Sequence, residues 1–169
     1  MHRDIKFENI LYKNIESDYH YPFPIILYLS DFGLARELSD MNQSSFPTLK
    51  VGTPFTMAPE IFEGKKYTKD SDIFSIGCVF LKLLTGLYPG EKHGSLYDKT
   101  IDISEYKDNM YCSRFVMYIL EGCLQLNPSN RIKIKELCTL LQASDEGVFS
   151  RVKFGPYLEV DSSKIINCV

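Results

Sequence analysis

The chain holds no tryptophan, no cysteine pair in CxxC spacing and no apolar run long enough to cross a bilayer. Its longest apolar stretches, such as Ile25-Ile26-Leu27-Tyr28-Leu29, fall far short of the ~20 residues a membrane helix needs. The five cysteines, at 78, 112, 123, 138 and 168, and the histidines at 2, 20 and 93 complete no zinc-ligand spacing. Free thiols in a reducing compartment are expected, and the polar N-terminus is unlike a signal peptide, so cytoplasm or nucleus is the expected location. No excess of positive charge is present either: 19 basic against 22 acidic residues gives −3, which argues against nucleic acid or an anionic membrane as partner. Finally, no two of the ten glycines are separated by a single residue, which excludes a GxGxxG phosphate loop anywhere in the sequence.

What remains is a chain of 169 residues, 44% hydrophobic and 24% charged, the profile of one ordinary globular domain. At this length about 70% of the unfolded chain's surface can be buried, so one core needs no disulfides. Asn9 to Tyr12 and Ile25 to Leu29 read as short strands of a long-looped hairpin, because Pro22 and Pro24 between them cannot join a ladder. Asp31 to Glu60, rich in Ser, Thr, Pro and Gly, reads as an extended functional loop. From Ser71 to Leu87 apolar residues occupy nearly every face of a helix, which predicts burial all round. Residues 113 to 126, with Val116, Ile119, Leu120 and Cys123, predict an amphipathic helix, as does the stripe Ile134, Leu137, Cys138 and Leu141. The predicted fold is mainly α with a small β-hairpin, over residues 1–143, followed by a loosely attached tail over 144–169.

Three short segments carry chemistry. His2-Arg3-Asp4-Ile5-Lys6-Phe7-Glu8-Asn9 is followed by Asp31-Phe32-Gly33 and then by Gly52-Thr53-Pro54-Phe55-Thr56-Met57-Ala58-Pro59-Glu60. Asn9 opens the first predicted strand and Ser30 alone separates Asp31 from the second, so antiparallel pairing brings two oxygen-bearing side chains together. Two such groups suit Mg²⁺, which keeps part of its coordination shell for phosphate and water. Asp4, five residues before Asn9, is placed to orient an attacking hydroxyl and accept its proton; Lys6 would balance charge on a transferred phosphoryl group. Gly33 would let the backbone turn after the metal ligand.

In this order the three segments resemble the catalytic loop (2–9), magnesium loop (31–33) and activation segment (31–60) of the eukaryotic protein kinase family, with a helical subdomain over 68–143. Asp72-Ile73-Phe74-Ser75-Ile76-Gly77 and Arg131 also resemble that family's landmarks. The resemblance implies ATP and Mg²⁺ as cofactors, with Asp4, Lys6, Asn9 and Thr53 catalytic, Lys6, Asn9 and Asp31 on the nucleotide, and Asn9 and Asp31 on the metal. Lys6 and Gly52-Thr53-Pro54 look like the serine/threonine branch, so the implied partner is a protein with a Ser or Thr acceptor. Arg3 beside Asp4 resembles kinases whose activation segment is ordered by a phosphate, for which Thr48, then Ser44 and Ser45, are the candidate positions. Glu60 and Arg131 resemble the family's buried ion pair, and Asp72 is structural: its place suits a helix N-cap, the resemblance implies that it anchors the catalytic-loop backbone, and the two roles are compatible.

The sequence also departs from the family. Phe7 stands where proline is common, Phe74 where tryptophan is usual, and Ile132-Lys133 where proline and a capping hydroxyl are frequent. The glycine-rich loop, strand lysine and hinge have no counterpart, so an incomplete kinase, a C-lobe without its N-lobe, is expected, with little activity alone and an exposed apolar face on the helix at Ser71 to Leu87. A second reading is a kinase-derived binding module, or a truncated gene product, without catalysis.

Overall fold

The computed structural model describes residues 1–14, 25–37, 51–91, 103 and 114–143. The candidate phosphorylation positions Ser44, Ser45 and Thr48, and the tail 144–169, lie outside the described residues. The described part is helix-rich, with one small antiparallel sheet.

Strands β1 (Ile10–Asn14) and β2 (Ile25–Leu29) pair antiparallel in the register Ile10↔Leu29 through Asn14↔Ile25. The sheet is short, and its large apolar side chains remain partly in solvent: Tyr12, Ile26, Leu27, Tyr28 and Leu29 are all exposed. A 3-10 turn at Phe7–Asn9 leads into β1, and another at Phe32–Leu34 follows β2, within the stretch read from sequence as loop. That stretch ends in the one-turn helix α1 (Pro59–Phe62), whose first residue is a proline preset for a helix start.

The centre is α2 (Lys69–Thr85). Its start is fixed where Thr68 N–H donates to Ser71 Oγ at 3.2 Å, and its end where Gly86, at φ 80°, donates to the Lys82 carbonyl. Phe74, Cys78 and Leu81 are completely buried, against α1 on one side and Val116, Leu120 and Leu124 on another. The burial predicted for this helix is present, and the apolar face expected to be exposed on it is not: every residue from Asp72 to Thr85 is buried or half-buried. Exposed large hydrophobic side chains lie on the hairpin, at Phe7 and Phe32, and singly elsewhere, because the segments around α2 already cover it.

Helices α3 (Arg114–Cys123) and α4 (Ile134–Ala143) close the core. Ile119 and Cys123 of α3 meet Ile73 of α2, Ile132 and Leu137 of α4 in a second cluster. The stripe expected on α4 is shifted: Ile134 and Cys138 are exposed, and Leu137, Leu140 and Leu141 make the packed face. Leu137 packs in the cluster that holds Ile73 and Ile119, with Leu140 and Leu141 against it. Among the described residues no helix is long and apolar enough to cross a membrane.

Candidate active site

Asp4 sits at the centre of the site, buried, in a loop held from behind by α2. Asp72, in the first turn of α2, accepts the His2 N–H at Oδ2 (2.8 Å) and the Arg3 N–H at Oδ1 (2.9 Å). Thr68 takes the N-cap position, so Asp72 anchors the loop backbone instead of capping its own helix. This bidentate hold stabilises the left-handed backbone at Arg3 (φ 71°), which a non-glycine residue adopts only at a cost of order 1–2 kcal/mol. His2, also buried, receives the Asp4 N–H at Nδ1 (3.4 Å), bonds the Ser30 carbonyl through Nε2 (3.0 Å), and meets the edge of Phe32 at 4.8 Å between centroids.

The Asp4 carboxylate is saturated. Oδ1 accepts from the Thr53 N–H (2.9 Å) and Thr53 Oγ1 (2.8 Å); Oδ2 accepts from Lys6 Nζ (2.9 Å) and Asn9 Nδ2 (3.2 Å). Lys6 Nζ also reaches Thr53 Oγ1 at 3.0 Å, and Asn9 Nδ2 the Asp4 carbonyl at 2.8 Å. A carboxylate offers about four acceptor directions, and all are taken. Burial pushes the Asp4 carboxyl up, but the hydrogen bonds from Lys6 and Thr53 outweigh it and hold it below the ordinary carboxylate range. The group is therefore ionised at neutral pH and a weak base. Gly52 makes the approach possible: at φ 112° a Cβ there would stand 2.6 Å from the Arg3 carbonyl oxygen.

Asn9 and Asp31 are brought to the same end of the sheet. Ser30 N–H and Oγ both donate to the Asn9 carbonyl, at 2.9 and 3.0 Å, one residue before Asp31. The Asn9 amide nitrogen is committed to Asp4, and Oδ1 is the acceptor atom of the same side chain. Asp31 is exposed, and its Oδ1 makes a long 3.4 Å contact with the Gly33 N–H. The sharp turn lies at Asp31 itself (φ 61°), a residue whose short polar side chain tolerates the left-handed region, and not at Gly33 as expected. A Cβ at Gly33 would come 3.2 Å from Asp31 Oδ1, a tight contact with the end of an exposed side chain. Among the described residues no cluster of three or more His, Cys, Asp or Glu could hold a metal ion.

Away from the centre, Glu60 and Arg131 form a bidentate pair at 2.7 Å on both arms, each nearly solvent-free. Burial would raise the Glu60 carboxyl, but the hydrogen bonds from Arg131 and Ser71 outweigh it and lower it. Arg131 also donates to the carbonyls of Gln125, Asp70 and Leu126, and lies 5.0 Å over the Phe74 ring. The pair ties the segment after Thr53 to the helical core. Arg3 donates to the Leu34 carbonyl; burial, then the neighbouring Arg36, pushes its guanidinium below its ordinary value. The family model for the protein kinase domain matches residues 1–140. The chain belongs to the protein kinase family. This kinase chain is 37% identical over 134 residues to the serine/threonine-protein kinase AtPK1/AtPK6 of Arabidopsis thaliana, covering 78% of the chain and 26% of that protein. It is 31% identical over 148 residues to serine/threonine-protein kinase 33 of Bos taurus, covering 81% and 29%, and 30% identical over 139 residues to nekl-2 of Caenorhabditis elegans, covering 81% and 36%. The chain thus spans about a quarter to a third of the length of these relatives.

Of the residues singled out in the sequence, Asp4, Lys6, Asn9 and Thr53 touch one another, and Asp31 stands one residue from the backbone bonds that hold Asn9. Arg3 turns away from this cluster toward Leu34 and Arg36. Three residues of the site had no stated role: His2, Arg36 and Tyr88. His2 and Arg36 lie within the segments already singled out and could have been found there; Tyr88 lies 81 positions from its partner Phe7 and leaves no local signal.

Proposed function

We propose that this kinase chain carries the phosphotransfer machinery of a serine/threonine protein kinase, moving the γ-phosphoryl group of ATP to a Ser or Thr hydroxyl of a protein. The carrying observation is the Asp4 carboxylate held by Lys6, Asn9 and Thr53 together. The oxygen donors of Asn9 and Asp31 fit a hard cation that keeps phosphate and water in its shell. Mg²⁺ bound there would neutralise phosphate charge and hold the reacting group in line. The chain's own residues do the rest. Lys6 exchanges its Asp4 contact for the phosphoryl oxygens, which opens Oδ2 to the acceptor hydroxyl. Asp4 orients that hydroxyl, and because its basicity is low it takes the proton late, when bond formation has made the hydroxyl acidic. Thr53 stays on Oδ1 and fixes the plane of the carboxylate.

The reading extends to completion and regulation. The absence of a glycine-rich loop from this sequence supports a C-lobe role, with the ATP lid and strand lysine supplied by an N-lobe, and little transfer from this chain alone. The adjacent positive charges of Arg3 and Arg36 support control by a phosphate on the activation segment, at Thr48 first and at Ser44 or Ser45 next. Joined in cis to an N-lobe, the chain should phosphorylate a Ser/Thr peptide with Mg·ATP, and Asp31→Ala should reduce the rate at least ~100-fold. Retained activity in Asp31→Ala would overturn the metal assignment. Absence of transfer from the wild-type fusion, with a partner protein still bound by Asp4→Asn and Asp31→Ala, would favour the binding-module reading.

A further inference from the structure

The loop is held at its front edge by Tyr88, from the turn that follows α2. Phe7 stands at the first position of the 3-10 turn Phe7–Asn9, and Lys6 before it is extended (φ −154°, ψ 166°). This backbone would accept a proline at position 7, since a residue preceding proline favours the extended region and a first helical position needs no N–H. Phenylalanine instead presents an N–H that the turn cannot use. Tyr88 receives it: the Phe7 N–H donates to Tyr88 Oη at 3.2 Å, and that hydroxyl points its own proton at Glu8 Oε2, a longer 3.4 Å.

Tyr88 is built in, not draped across the surface. It is buried, and its ring stacks on Phe55 of the segment after Thr53 at 6.0 Å and 9° between planes. Lys82 lies 4.8 Å over the ring, and Glu91 accepts from both Lys82 Nζ (3.3 Å) and the Tyr88 N–H (2.7 Å), closing the turn after α2 around the tyrosine. Burial, with the Glu8 carboxylate beside it, pushes the phenol up to about 12, so the hydroxyl keeps its proton at any working pH. We infer that Tyr88 is a positioning residue: its hydroxyl fixes the Lys6–Asn9 backbone while its ring fixes Phe55, so that the segment carrying Thr53 and the loop carrying Lys6 keep a common register. The role in transfer rests on the kinase reading above; the mechanical link does not.

Two variants test it together. Tyr88→Phe retains the ring and loses the hydroxyl, and Phe7→Pro removes the N–H that the hydroxyl serves. In the full chain, Tyr88→Phe should speed amide hydrogen exchange at Phe7 by about tenfold or more while exchange in α2 stays within twofold. In the N-lobe fusion it should lower kcat for a Ser/Thr peptide by about threefold to tenfold, the scale of one hydrogen bond, with the KM for ATP unchanged. Introduced into Phe7→Pro, Tyr88→Phe should change kcat less than twofold. Unchanged Phe7 exchange, or the same kcat loss in both backgrounds, would overturn the inference. If the wild-type fusion transfers no phosphate, the kinase reading fails, and exchange at Phe7 still decides the link: acceleration supports it and no change refutes it.

Discussion

Replacing Arg131 by methionine should cost this protein a large part of its stability. The arginine gives both arms to Glu60 and further hydrogen bonds to the carbonyls of Gln125, Asp70 and Leu126. Methionine fills similar space against Phe74 and donates nothing. Glu60 is then a carboxylate with 4% exposure and only Ser71 Oγ, at 2.8 Å, still donating to it from a side chain. Leaving one member of a buried pair uncompensated costs about 3–5 kcal/mol, against the ~5–15 kcal/mol by which whole domains are stable. Urea unfolding followed by circular dichroism at pH 7 measures it, and Arg131→Met combined with Glu60→Gln should recover about 1–2 kcal/mol by removing the stranded charge. The pH dependence should also change sign. In the wild type the folded Glu60 carboxyl lies below its unfolded value, so its stabilisation is complete above about pH 4.3 and fades as pH falls through the lower folded value. In Arg131→Met the largest opposing groups are gone and burial outweighs the remaining Ser71 and backbone hydrogen bonds, which raises the folded value, so stability should increase as pH falls from 7 toward 5. A loss under ~1 kcal/mol, or a variant whose stability falls over that same range, would contradict the role given to the pair.

Three further outcomes are expected. Gly77→Ala should lower the urea midpoint by about 1–3 kcal/mol equivalent without changing the slope, because its Cβ would meet Cys123 Cβ at 2.7 Å and Leu124 Cδ2 at 2.8 Å where α2 packs on α3. Asp72→Ala should cost about 2–4 kcal/mol and speed amide exchange at His2 and Arg3, whose N–H groups lose their acceptor; exchange at those two amides unchanged from wild type would refute the anchoring role. Asp4, whose folded carboxyl also lies low, adds stability that is present above about pH 4 and lost below it, so Asp4→Asn should flatten the acid limb of the stability curve.

How much of this was legible in the sequence varies with the reach of the interaction. The hairpin followed from two apolar runs flanking prolines, and the burial of α2 from apolar residues on every face, because strand and helix periods are local properties. The meeting of Asp4 with Thr53, 49 positions away, was legible only because ordered short motifs resembled those of a known family. Nothing local distinguished the true face of α4. Leu137 and Leu140 pack in the cluster with Ile73 and Ile119 while Ile134 is exposed, and that depends on where Ile73 and Ile119 arrive. The left-handed turn at Asp31 was assigned to its neighbour Gly33 because glycine is the usual occupant of such backbone, although a side chain that also accepts a local N–H serves as well. Tyr88 was invisible for the opposite reason: its importance comes from an N–H created by Phe7, 81 positions away.

The most direct measurement uses Mn²⁺ in place of Mg²⁺, with ATP, on the chain joined in cis to an N-lobe. Paramagnetic broadening in the nuclear magnetic resonance spectrum should fall on the Asn9 side-chain amide and on the backbone amides from Asp31 to Gly33, and Asp31→Ala should remove it. Broadening centred elsewhere, with the Asn9 and Gly33 signals sharp, would mean that these side chains do not share one metal-phosphate pocket.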